Sequence, residues 1–252
     1  MFDLIDECGK DLKKFGYQVK RLDKFGMSLA SLNVEDEKDR KNVGLEIGEY
    51  YIFNSPFIYE FGEENTNYLS SLMAKQLNKV FKHLSVNKNS KILIIGLGNP
   101  DIAADRLGKE VFDGIDIDPL KKDNNIYKFC PNIFFSTGID TLRLVKMFSE
   151  ELEVDLVILI DALATSNLSR LGTSFQITTS GMTPGSGVNR FGSRICKESV
   201  GCECISIGVP FMVHSNSLVE GEVDIILAPK DIRQNVAQAG EVISRAIKEV
   251  IK

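Results

Sequence analysis

Apolar positions along this chain follow two different periods, and the switches between them mark out its elements. From Asn65 to Leu84 the residues Leu69, Leu72, Met73, Leu77, Val80, Phe81 and Leu84 return every three or four positions, which predicts a helix with one buried face. The segment KILIIGLG that follows is a continuous apolar run, the pattern of a strand covered on both faces in a parallel sheet. A second round repeats the alternation. A helix is predicted over 138–151, packing through Ile139, Leu142, Leu144, Val145 and Phe148, and the run VDLVILID then ends at Asp161. TSFQIT and CISIGVP read as two more strands, with a Gly-rich loop SGMTPGSGVN and a helix around 193–200 between them. From Pro229 to Lys252 the stripe Ile232, Val236, Ala239, Val242, Ile243, Ala246, Ile247 and Val250 predicts a closing amphipathic helix, with Pro229 suited to its first turn.

The remainder is less periodic. Residues 1–41 read as an elaboration on the core, with a short helix near 4–14 and a charged stretch NVEDEKDRKN expected to be a solvated loop. VGLEIGEYYIF is rich in β-branched and aromatic residues and reads as a strand or hairpin, and 104–112 reads as helical. Alternating strands and helices predict a single α/β domain over residues 1–252, with a mostly parallel mixed sheet between layers of helices.

Composition narrows the partners. The chain has 252 residues, 43% apolar and 26% charged, enough for a full core, and its net charge of −5 disfavours direct binding to nucleic acid, which selects for a basic face. No run approaches the ~18 apolar residues of a membrane span, and the first residues lack the basic-then-apolar order of a secretory signal, so a cytoplasmic protein is expected. The five cysteines, an odd number without an export signal, read as reduced thiols. Cys196, Cys202 and Cys204 invite a zinc reading. The alternation of Cys202 and Cys204 within CECISIGV favours buried thiols on one face of a strand, and neither metal nor cofactor is expected. His83, at the end of the first long helix, is expected on the surface.

Two carboxylates stand out. Asp105 follows the strand KILIIGLG and Asp161 ends VDLVILID, and in open α/β sheets ligands bind outside the carboxyl ends of the strands. A pair of acids whose ionisation is pushed apart can hold and polarise a water, which suffices for amide hydrolysis. Each has a plainer reading, since an Asp after a strand often caps a helix, as Asp105 would for the helix after it. Gly96 and Gly98 hint at a dinucleotide loop, but Asp101 stands where the third glycine belongs. The glycines read better as a tight turn that leaves room for an extended ligand.

The motifs GLGN with Asp105 six residues after its Asn and then LG, TGID (137–140), IDALAT (160–165), PGSGV (184–188) and IGVP (207–210) occur in an order and spacing that resemble the germination proteases of spore-forming bacteria. The likeness extends from GEYYIF to LAPKDI and the final helix. It implies a three-layer α/β/α fold of the phosphorylase/hydrolase-like kind, and an atypical aspartic endopeptidase that degrades small acid-soluble spore proteins in the forespore or spore core. The family's two acids fall on Asp105 and Asp161. One ionised acid would take a proton from the attacking water while the other, protonated, donates to the scissile amide, and the sequence does not say which is which.

Substrate contacts are expected from Gly98 and Asn99, and from Gly181, Pro184, Gly185, Ser186 and Gly187, whose small residues suit an extended peptide or a developing oxyanion. Arg190, or Arg194 near it, would pair with a substrate carboxylate, since the family's substrates are cut beside acidic residues. The family implies a tetramer. This chain departs from the pattern at Thr178–Ser180, at Arg190 and at His214, which reads as a structural replacement for an acidic residue. Only Met1 and Phe2 precede the Asp3–Leu4 pair near which relatives process themselves, and the long insertion before the last helix is missing, so self-processing is not expected. Two other readings stay open. One is a non-catalytic spore protein that keeps the fold as a binding module, and the other a hydrogenase-maturation-type peptidase using an Asp near Asp105 to bind nickel.

Overall fold

The computed structural model describes residues 12–56, 58–60, 62–117, 125–132, 137–185, 192–217 and 225–251. Among the described residues, nine strands form one sheet in the order β1-β2-β3-β7-β8-β6-β4-β5, with β9 added to β8. They are β1 (Gln18–Arg21), β2 (Ser28–Val34), β3 (Gly48–Asn54), β4 (Ile92–Gly96), β5 (Ile126–Phe129), β6 (Leu156–Thr165), β7 (Ser174–Thr178), β8 (Glu203–His214) and β9 (Ile226–Leu227). The centre, β8-β6-β4-β5, is parallel, as its uninterrupted apolar runs predict. The wing β1-β2-β3-β7 is antiparallel throughout and joins β8 antiparallel. β1, β3, β4, β5, β6 and β8 therefore run one way, and β2, β7 and β9 the other.

Strand side chains alternate between faces, and two helical layers divide them. On one face α2 (Gly62–His83), α3 (Leu107–Gly114) and α6 (Ile232–Val250) bury Leu69, Leu77, Val111, Val242 and Ile243 against Ile92, Ile94, Ile158, Ile160 and Ile207. On the other, α4 (Thr141–Glu151) and α5 (Lys197–Val200) cover Leu93, Ile95, Val157, Leu159 and Cys204. Each such buried side chain contributes about 1.5–3 kcal/mol of apolar transfer, and it is this double coverage that fixes the central strands. Beside the second layer, Leu12 and Val43 pack on Ala30, Leu32, Tyr50 and Ile52 of the wing.

Several expectations need correction. The charged stretch at 33–42 is not a loop: β2 runs to Val34, and α1 (Glu37–Val43) follows. The Asp36 carboxylate accepts the backbone N–H groups of Lys38 and Asp39 at 2.9 and 2.8 Å, and Gly44 closes the helix in the left-handed region at φ 81°. Because α1 takes up Val43, the strand expected from there begins only at Gly48. The helix expected near 4–14 falls mostly outside the described residues, and what is described of it, Leu12–Phe15, is a 3-10 turn. β5 was not predicted, for its four residues are only half-buried at the sheet edge. Helix 193–200 shrinks to Lys197–Val200, because Ile195 instead bridges Met182. The last helix starts at Ile232, with Pro229 before it accepting the Ile232 N–H at 3.2 Å. His83 is exposed as expected and pairs with Glu49 at 3.0 Å.

Replacing Asp36 with Ala removes the cap of α1 and should lower stability by about 1 kcal/mol, read as a shift of the urea midpoint at unchanged slope. An unmoved midpoint would mean that α1 does not depend on its cap.

Candidate functional site

The site is set by where β4 stops. Its last pairing is Gly96 with Ile160, and Leu97 still donates its N–H to the Ile160 carbonyl at 2.8 Å, after which the chain turns away while β6 runs on to Thr165. Asp161 is thus mid-strand and not at a strand end as expected, but it is the first residue beyond its neighbour's reach. It is 6% exposed and shares a face with Val157 and Leu159. Its Oδ1 accepts the N–H of Ala162 at 3.0 Å.

Asp105 closes a 3-10 turn, Ala103–Asp105, that touches β6, β8 and α6. It does not cap α3: Arg106 holds the cap position, without a side-chain bond. Asp105 Oδ2 instead accepts the backbone N–H of Asn99 at 2.8 Å, tying the start of the loop to its end. Gly98, at φ 92°, makes this possible. A Cβ there would collide with the Asp105 carbonyl and lie 2.9 Å from its Oδ1, so the room expected for a ligand beside Gly98 is filled by Asp105 itself. Asn99 is likewise engaged within the loop, its Oδ1 accepting the Asp101 N–H at 2.9 Å. Gly96 and Gly108 press backbone against backbone, which draws the start of α3 onto the end of β4. One backbone junction therefore serves both aspartates.

Across the sheet from Asp161 the register places Gly208 and then Gln176. The missing Cβ at Gly208 lets Leu163 fold over it, since a Cβ there would lie 2.6 Å from Leu163 Cδ1. Local sequence pattern gives Gly208 no task within the motif IGVP and does not mark Gln176, because only strand pairing puts them in a row with Asp161.

The Gly-rich segment lies on the same face. Met182 and Ile195 exchange both backbone hydrogen bonds at 2.9 and 2.8 Å, and Ile195 belongs to the cluster that holds Val157 and Leu159. Gly181, at φ 80°, has no room for a side chain against Ile195 and Cys196. Pro184 and Gly185 continue one limb, and Gly192 lies against the Pro184 carbonyl on the other. Ser186, Gly187 and Arg190 fall outside the described residues. Arg194 donates to the Ser180 carbonyl. Ser193 donates to Asp140 Oδ2 at 3.1 Å, while Asp140 Oδ1 caps α4 through the Leu142 N–H, which gives the motif TGID a structural task.

The sequence model of the germination protease family matches residues 6–247. The chain belongs to that family. A germination protease of Caldanaerobacter subterraneus subsp. tengcongensis is 30% identical over 232 residues, covering 88% of this chain and 70% of that one. The Bacillus subtilis germination protease is 29% identical, covering 86% of this chain and 61% of its own length. Among solved structures, the [NiFe] hydrogenase maturation protease HycI from Thermococcus kodakarensis KOD1 covers 63% of this chain and 93% of that chain, at 20% identity and a TM-score of 0.38, too distant to bear on function. Membership makes this a peptidase fold, with helices on both sides of a mixed sheet.

No helix of the described residues is long and apolar enough to cross a membrane, and among them no three His, Cys, Asp or Glu side chains are grouped to hold a metal ion. The cysteines behave as packing groups. Burial pushes the Cys204 thiol far up from its ordinary range and raises those of Cys202 and Cys130 as well.

Gly98→Ala should destabilise the protein by about 1–3 kcal/mol in urea unfolding, because the added methyl has backbone on its far side. Iodoacetamide at pH 8 should leave Cys204 unmodified in the native protein and label it after unfolding, as read by peptide mass spectrometry; equal labelling in both states would contradict its burial.

Proposed function

We propose that this chain is an endopeptidase that hydrolyses small acid-soluble spore proteins by activating a water between Asp105 and Asp161. The observation that carries the reading is the junction at Gly96–Leu97. It fixes the loop bearing Asp105 to the residue that precedes Asp161, and the Asn99–Asp105 bond holds that loop closed. Two carboxylates that share one water cannot both ionise cheaply, so in this reading one serves as base and its partner as acid. The ionised carboxylate removes a proton from water as the oxygen attacks the scissile carbonyl. The protonated carboxyl donates to the departing amine, and the proton gained by the first restores the pair.

The Gly-rich limbs at Gly181–Gly185 lie on the face of Asp161 and suit an extended substrate backbone, with Ser186, Gly187 and Arg190 as further contacts. Gly98 and Asn99 support the reaction by holding Asp105. The reading also takes the protein to act in the forespore or spore core, as a homo-oligomer.

Asp105→Asn and Asp161→Asn should each lower cleavage of a purified small acid-soluble spore protein by about 10²- to 10⁴-fold, while the urea midpoint moves little, because the amide oxygen still accepts the backbone bond. Wild-type rates in either variant would remove the two-aspartate mechanism. Tight binding of the spore protein by the wild-type chain without any cleavage would instead identify a non-catalytic binding module.

A further inference from the structure

Arg106, the residue after Asp105, bonds in two directions. Its Nη1 donates to the Pro100 carbonyl at 3.0 Å, back across the loop, while its Nε donates to Glu110 Oε1 at 2.6 Å, one turn further along α3. An exposed ion pair four residues apart on a helix contributes little by itself. This one differs in its second bond, which leaves the helix and reaches the loop, and in what stands behind Glu110. A Cβ on Gly240 of α6 would lie 2.6 Å from Glu110 Cβ, and one on Gly114 would lie 2.6 Å from Ser244 Oγ. α3 therefore meets the last helix at two rungs, four residues apart on each. With its stem against α6, Glu110 is the better held of the pair, its side chain 27% exposed against 42% for Arg106.

We propose that Arg106 is a positioning residue for Asp105, pinning the loop 99–105 to α3 and, through Glu110, to α6. The proposal rests on the peptidase reading of Asp105 and Asp161 and adds a residue that acts through Asp105. Within the loop, Asp105 donates its N–H to the Ile102 carbonyl at 2.9 Å, Ile102 donates to the Asn99 carbonyl at 3.1 Å, and the Asp105 carboxylate accepts from Asn99. These bonds are internal to the loop. The Arg106 guanidinium joins that wound segment to a carboxylate whose own place is set by a helix more than a hundred residues away in sequence.

The residue type fits the task. A guanidinium is a rigid planar fork that donates to a carbonyl and a carboxylate at a fixed angle, whereas an ammonium is a point charge on a flexible stem. Displacing a reacting group by about 1 Å can cost on the order of 10²-fold in rate. Loosening the loop should therefore be read in kcat before KM.

The test starts from Arg106→Gln. With a purified small acid-soluble spore protein as substrate, kcat should fall about tenfold while KM stays within about twofold. Glu110→Gln should lower kcat by about threefold, and the double variant should be no slower than Arg106→Gln, because both act through one fork. Arg106→Lys keeps the charge without the fork and should remain about threefold below wild type. Lys109→Gln, which breaks the neighbouring Lys109–Asp113 pair of the same helix, is the control and should leave kcat unchanged. By NMR, the Asn99 amide should exchange its hydrogen about tenfold faster in Arg106→Gln at an unmoved urea midpoint. Unchanged exchange would overturn the proposal, as would an unchanged kcat, full recovery in Arg106→Lys, or an equal loss in Lys109→Gln. Exchange does not depend on catalysis, so a wild-type rate in Asp105→Asn would refute the two-aspartate mechanism while the Asn99 amide still decides whether Arg106 holds the loop.

Discussion

Close backbone packing between Gly96 and Gly108 is the constraint on which this architecture turns. Neither position has room for a Cβ, and each meets the main chain of the other. Their contact ends β4, aims the chain into the loop that carries Asp105, and starts α3 over the strand it has just left. A strand followed by a helix ordinarily leaves several ångströms of side chain between the two; here the first turn of the helix rests directly on the strand terminus. The result is a short, rigid excursion, closed again by the Asn99–Asp105 bond, in place of a mobile loop. Such closure limits how far the loop that carries Asp105 can shift relative to the strand it leaves.

The central sheet was legible in the sequence because burial on both faces leaves a signal that survives without knowledge of contacts: KILIIGLG, VDLVILID and CISIGVP contain β4, β6 and β8. The long helices were legible for the same reason, through one-sided periodicity. What escaped was structure held by polar atoms. α1 has almost no apolar stripe, so its charged sequence resembled solvent-exposed loop; its Asp36 cap and Gly44 terminator were the readable signals. β5 escaped because an edge strand of four half-buried residues has no distinctive composition.

The two aspartates were found from their places relative to strands, but their surroundings were not. Asp161 was expected at a strand end, since the apolar run stops there; the strand continues through Ala162–Thr165, where β8 alone flanks it in the described sheet. Gly208 and Gln176 become neighbours of Asp161 only through register, which no local pattern encodes. Gly98 was expected to make space for a ligand, and it makes space for Asp105. In each case the residue type was informative and its partner was not.

The sheet also imposes an order on its own completion. β3, made early, hydrogen-bonds to β7 more than a hundred residues later, and β7 is held on its other side by β8; α2 packs on α6, the last helix of the chain. The wing laid down first by the ribosome thus waits with one edge unsatisfied until the C-terminal third has emerged. Such long-range closure makes folding slow, and it leaves nascent or truncated chains with open strand edges that chaperones would have to shield.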